Sequence, residues 1–145
     1  MWKYYVGIPI ALVILGVAYY GLSPLFRNIK VDEALPVSAQ PAQFSSSAQV
    51  NGTAGHPASG TARIVEADGK TYLRYENFKT INGPDLYVYL AKTPDAKEFI
   101  DLGVIKATEG NVNYEIPAGI DPSEYPYALT WCRQFGVLFN SAKFY

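Results

Sequence analysis

The chain has 145 residues, of which 17% are charged, with a formal net charge of −1, one cysteine and one histidine. That length leaves room for one globular domain once any anchor or spacer is subtracted. The absence of a basic block or Lys/Arg stripe argues against nucleic acid as a partner, and a lone cysteine excludes an internal disulfide.

The first segment is apolar. No charge falls between Lys3 and Arg27, so residues 4–26 form an uncharged run of 23 residues, above the roughly 20 that an α-helix needs to cross a bilayer. Trp2, Tyr4 and Tyr5 flank one end and Tyr19 and Tyr20 the other, as suits amphipathic rings at headgroup depth. Ala18-Tyr19-Tyr20 and Gly21-Leu22-Ser23 are poor small-x-small cleavage sites. The expectation is therefore an uncleaved signal-anchor, residues 1–27, meeting the lipid bilayer through residues 4–26. Lys3 is balanced by Arg27 and Lys30, so charge does not set sidedness. The sequon Asn51-Gly52-Thr53 suits a domain on the extracytoplasmic side. The expected localisation is the cell membrane, single-pass, with the folded domain outside.

Residues 28–50 shift to Ala, Ser, Gln, Pro and Val without a helical or strand period. They read as a spacer that gives the domain tens of ångströms of travel.

From residue 51 to 145 the pattern is short strands. Thr61–Val65 and Thr71–Tyr75 flank Asp68-Gly69, a hairpin signal. Leu86-Tyr-Val-Tyr-Leu90 alternates as a strand with one core face does. Further strands are expected at Ile100–Ile105, Asn111–Ile116, Ala128–Cys132, Val137–Phe139 and Ala142–Tyr145, with one helical turn over Asp95–Phe99. About eight strands without a long amphipathic helix predict a mostly β fold, an antiparallel sandwich or barrel behind one transmembrane helix.

Chemistry concentrates on few residues. Cys132 lies in Trp131-Cys132-Arg133-Gln134-Phe135. A redox thiol there needs partial exposure and a thiolate-stabilising neighbour such as Arg133 or His56. A packing thiol needs neither. Adjacent side chains on a strand point to opposite faces, so help from Arg133 requires a bend. One His and one Cys cannot make a blue-copper or structural zinc site, so no metal is expected. No Cys-x-x-Cys-His attaches a haem, and no specific pattern supports haem ligation by His56, Cys132 or Tyr87. A Gly-x-Ser-x-Gly is absent, so a hydrolase is not indicated.

The order of motifs resembles a known family. His56-x-x-Ser59-Gly60 precedes a strand, and Leu73-x-x-x-x-Phe78 leads to Asn82-Gly83-Pro84-Asp85-Leu86-Tyr87-Val88-Tyr89-Leu90. Then follow Ile100-Asp101-Leu102-Gly103, Asn113-Tyr114-Glu115-Ile116-Pro117 and Trp131-Cys132-x-x-Phe135-x-Val137-x-Phe139-x-x-Ala142. Over about residues 52–145 this series is similar to the DM-thirteen (electron-transfer DM) family. The resemblance implies a β-rich extracytoplasmic domain with electron-transfer or redox work centred on the cysteine matching Cys132. It also implies a separate redox partner, such as a DOMON-type haem protein, since no such domain is present here. Any haem would come from that partner, and no cofactor is expected in this chain. Trp131, Arg133, Phe135, His56, Gly83, Pro84 and Asp85 are the expected supporting residues. The competing expectation is a non-catalytic cell-envelope binding module in which Cys132 is buried packing.

Overall fold

A computed structural model describes residues 2–23, 27–42 and 47–145, with side chains from residue 6 onward. The first element, α1, spans Trp2–Leu22 with Pro9 inside it. Its side chains from Val6 to Tyr20 are exposed all round. Among the described residues no helix is long and apolar enough to cross a membrane. The membrane-spanning segment expected over residues 4–26 is therefore not supported by the described residues. The side chains of Trp2, Tyr4 and Tyr5 and residues 24–26 lie outside the described residues.

Among the described residues ten strands follow: β1 (Lys30–Asp32), β2 (Gln40–Pro41), β3 (Ala48–Gly52), β4 (Ala58–Ala67), β5 (Lys70–Thr80), β6 (Leu86–Ala91), β7 (Phe99–Val104), β8 (Glu109–Ile116), β9 (Tyr127–Cys132) and β10 (Val137–Lys143). They form one curled open sheet in the order β1-β8-β5-β4-β3-β10-β9-β6-β7, with β2 added on the β3 flank of β4. All pairs are antiparallel except β1 with β8. The architecture is mostly β as expected, but it is a half-barrel of ten strands rather than a closed barrel or two-sheet sandwich of eight.

Two local expectations change. Val137–Phe139 and Ala142–Tyr145 join into the single strand β10, where a register shift between Leu138 and Asn140 absorbs the interruption. That bulge places both Phe139 and Asn140 inside, at 5% and 0% exposure. No helical turn forms over Asp95–Phe99. Asp95 Oδ1 instead accepts from Thr93 Oγ1 and Lys97 N in a turn, and Phe99 opens β7. A short 3₁₀ turn at Pro122–Glu124 is capped by Asp121, which accepts from Ser123 N.

The spacer expected over 28–50 is strapped to the sheet where it is described; residues 43–46 of it lie outside the described residues. β1 pairs in parallel with β8, and Glu33 N donates to Asn111 O at 2.8 Å. Arg74 holds the next residues. This buried guanidinium donates to the Glu33 and Ala34 carbonyls, to Asn113 Oδ1 at 2.8 Å and to Glu76 Oε1 at 2.9 Å. The polar groups read as spacer chemistry satisfy β-sheet hydrogen bonds instead.

Alternation sorts the strands into two apolar faces. The concave interior collects Val50, Ala62, Ile64, Leu73, Tyr75, Phe78, Leu86, Val88, Leu90, Val112, Tyr114, Cys132 and Phe139. On the convex side of β6 and β9, Tyr89, Ala91 and Leu129 are buried under Tyr87, Tyr127, Trp131 and Leu138. The interior also holds the hydroxyls of Tyr75 and Thr130 and the Asn140 carbonyl oxygen without a hydrogen-bond partner. The Thr130 hydroxyl lies toward the Tyr75 phenol but outside hydrogen-bond geometry. Burial holds the Tyr75 and Tyr114 phenols far above their usual value, so both are neutral.

Two predictions follow from the strap. Gly110 has φ +123°, and a Cβ there would run into the Val31 carbonyl of β1. Gly110→Ala is expected to release β1 and cost roughly 1–3 kcal/mol, read as a lower urea midpoint with faster amide exchange at Asn111. Glu76 is held below its usual 4.5 by the Arg63 hydrogen bond first and then by Arg74, against desolvation. Its contribution is present above about pH 4.5 and is lost as pH falls through the lowered folded value. Glu76→Gln is expected to cost roughly 1–3 kcal/mol at pH 7, and the gap from the parent chain should narrow in acid. A pH-independent gap would remove the ionic part of this account.

Candidate functional site

Antiparallel pairing brings four connections to one end of the sheet. These are residues 53–57 after β3, 81–85 before β6, 105–108 before β8, and 133–136 between β9 and β10. The sequence-predicted residues gather here.

His56 is fixed by a tight turn. Its backbone N–H donates to Thr53 O at 2.9 Å, and Thr53 N–H donates to Phe139 O at 3.0 Å. Thr53 Oγ1 lies 2.8 Å from Leu138 O, 3.1 Å from Phe139 O and 3.0 Å from His56 Nδ1. A hydroxyl has one hydrogen, and carbonyls only accept, so that hydrogen goes to strand β10. His56 Nδ1 is then the hydrogen donor of its contact with Thr53 Oγ1. The imidazole stacks on Phe139 with ring centroids 4.0 Å apart.

Phe139 carries the arrangement inward. Its Cζ stands 2.9 Å from where a Cβ of residue 83 would lie, and Leu86 Cδ2 stands at 3.1 Å. Gly83 is therefore the residue that lets the loop close over this ring. The loop is pinned by Asn82, whose Oδ1 accepts from Gly83 N at 2.9 Å and whose Nδ2 donates to Arg27 O at 3.2 Å. Asp85 ends it by accepting Arg133 N–H on its carbonyl at 3.0 Å. Leu86 and Val137 are the register partners of Cys132 on either side. Cys132 itself is 0% exposed, within the interior cluster that includes Leu86 and Phe139.

The next residue goes the other way. Arg133 lies flat on the Tyr87 ring, its guanidinium carbon 3.4 Å from the centroid. Its Nε donates to Tyr89 Oη at 2.6 Å, and its fork meets the Asp101 carboxylate. Tyr89 in turn stacks on Phe99 at 4.0 Å. No bend turns Arg133 toward the thiol.

The structure thus joins His56, Gly83 and Cys132 into one packed unit through Phe139 and Leu86. Pro84 and Asp85 belong to the same loop. Trp131 and Arg133 belong instead to the convex face, and Phe135 is 63% exposed at the tip of the 133–136 turn. Sequence reasoning missed Phe139 as the connector, Asn82 as the loop's pin, and the Tyr87–Tyr89–Asp101 cradle around Arg133. Alternation in Leu86–Leu90 places Tyr87 and Tyr89 on one face, but the partner that covers them comes from 44 residues away. Among the described residues no three His, Cys, Asp or Glu side chains converge as metal ligands.

A curled β half-barrel with a sequestered cysteine beside an aromatic–glycine contact is the form this class of protein takes here. The family described as electron transfer DM13 matches residues 49–144, and the chain belongs to it. The match begins three residues before the 52–145 expected from the motifs and ends one residue short of it. No curated protein and no solved structure matches the chain.

The cradle around Arg133 is testable by substitution. Arg133→Ala is expected to cost roughly 1–2 kcal/mol through lost stacking and an unpartnered Tyr89 hydroxyl. Arg133→Lys should recover little of it, because an ammonium cannot reproduce the planar fork. Urea midpoints of the two variants measure this, and full recovery by Lys would reduce the contact to simple charge.

Proposed function

We propose that the chain is a membrane-tethered, extracytoplasmic electron-transfer module whose redox group is Cys132. The observation that carries this reading is the junction of Cys132, Gly83 and His56 through Leu86 and Phe139, in a chain of the electron transfer DM13 family. Full burial shields the thiol from indiscriminate oxidation. Reaction then requires the 81–85 loop or the 133–136 turn to open. Once open, the Cys132 thiolate attacks a partner disulfide, forms a mixed disulfide with one of its sulfurs and expels the other as a thiolate. The partner is a separate redox protein, and a DOMON-type haem protein fits the family's company.

The tether rests on α1. Its exposed faces carry Ile8, Ile10, Leu12, Val13, Ile14, Leu15 and Val17, with Tyr19 and Tyr20 at the end, a surface that water disfavours on every side. The extracytoplasmic placement is supported by Asn51, the sequon asparagine, which stands exposed on β3. The cofactor expectation is unchanged, with none assigned to this chain.

A second reading is favoured by one specific observation. At 0% exposure, with its register partners apolar, Cys132 fits the core as a small hydrophobe. In that reading the domain is a binding module of the cell envelope.

Alkylation of Cys132 across a urea series separates the two. The redox reading expects labelling through a local opening, at a rate far above that set by global unfolding and insensitive to low urea. Labelling that follows global unfolding at every urea concentration would make Cys132 packing. Under the redox reading, Cys132→Ala, which buries no unpaired hydroxyl, is expected to fold and lose redox coupling, whereas unchanged coupling would remove the thiol from the function.

A further inference from the structure

The connection between α1 and the sheet is short. Helix α1 ends at Leu22, while Ile29 is already fixed, its N–H donating to Thr108 Oγ1 and its carbonyl accepting Thr108 N–H, both at 2.8 Å. Asn28 is tied to the same place through Glu109 and Thr108. Six residues extend at most about 20 Å whatever path they take. The end of the sheet that carries the candidate site is therefore the end held nearest the helix. A cavity of about 470 Å³ between them is lined by Tyr20 and Ser23 from the helix side and by Asn82, Pro84 and Val104 from the sheet.

The end beside the helix combines apolar loop tips with cations. The near end exposes Phe135 at 63%, Val104 at 59% and Val137 at 37%. Arg27 and Lys79 are exposed there too, against a half-buried Asp85 and a Glu109 paired to Lys30. At the far end the turns expose Asp68, Lys70, Lys92, Asp95, Lys97 and Glu98 together with Phe99, and the adjoining 35–38 segment exposes Leu35 and Val37, but among the described residues no helix stands beside these groups. Large apolar side chains on loop tips next to an apolar helix fit the headgroup–acyl boundary, and cations beside them favour an anionic leaflet.

We propose that this end of the domain rests on the bilayer surface, with Phe135 and Val104 seated at the headgroup–acyl boundary. The proposal deepens the tether reading above and depends on it. The strap over β1 and β8 makes the posture specific, because the domain has no long spacer on which to tumble. It places the 81–85 loop and the 133–136 turn, the two covers of Cys132, along the membrane plane.

The test uses the full chain in phosphatidylcholine–phosphatidylglycerol vesicles, with bromine carried at shallow acyl positions of the phosphatidylcholine. Phe135→Trp adds an indole at an exposed position, and its emission is taken as the difference from the parent chain, which keeps Trp2 and Trp131. The expected result is a blue shift and loss of the added emission to bromine, repeated by Val104→Trp and absent for Phe99→Trp at the far end. If the chain floats with the vesicles but the added indole emits as in water, the surface contact is wrong and the tether stands. A blue shift without bromine quenching would mean that a second copy of the chain covers the patch, which also overturns the proposal. A chain that does not float with vesicles overturns both readings.

Discussion

The ring of Phe139 fills the space that a side chain at residue 83 would need, and the candidate site depends on that contact. With a Cβ at 83 the Asn82–Asp85 loop would have to lift off the ring. Leu86 and its register with Cys132 would be disturbed in turn. Stacked on a face of the same ring lies His56, held there by Thr53 and the β10 carbonyls. Three motifs separated by dozens of residues thus meet on one aromatic side chain. The β10 bulge makes this possible, since it turns Phe139 and Asn140 inward together.

A second constraint is electrostatic and acts on the chain before the family domain begins. Arg74 is buried, and a buried guanidinium must be surrounded by acceptors. Glu76 and Asn113 supply part of that shell, and the Glu33 and Ala34 carbonyls supply the rest. The segment after Arg27 is therefore drafted as ligand to a cation on β5. What composition presents as a flexible spacer becomes part of the fold because its backbone acceptors are needed there.

These cases show where sequence was informative. Period-two alternation in Leu86–Leu90 and the Asp68-Gly69 turn are local signals, and the strands they imply are present at β6 and at the β4–β5 hairpin. The inward Cys132 and outward Arg133 also follow from alternation alone. Strapping by Arg74, the parallel β1–β8 pair and the Arg133–Tyr89 bond join residues tens of positions apart, and no local pattern encodes them. Asp95–Phe99 failed for a different reason. Asp95 satisfies the Thr93 hydroxyl and Lys97 amide within a turn, the local competition that makes aspartate a poor helix-interior residue. Length and periodicity likewise could not separate a sandwich from one sheet curling upon itself, since both bury alternate residues of short strands.

Alternation also constrains how the thiol can act. Cys132 and Arg133 share a peptide bond yet face opposite sides of the sheet, so the nearest cation is committed to Tyr87, Tyr89 and Asp101. Nothing in that cradle stabilises a thiolate in the interior. In the redox reading proposed above, activation therefore comes from opening, which admits water and the groups of a partner to the sulfur. The covers that can open are the loop held by Asn82 and the turn tipped by Phe135, because the strands flanking Cys132 are paired on both sides. Asn82 donates to the Arg27 carbonyl, on the short connection to α1. One side chain, Asn82, thus bonds both to the segment that follows the helix and to the loop that closes over Phe139, which is where the proposed tether and the proposed opening would meet.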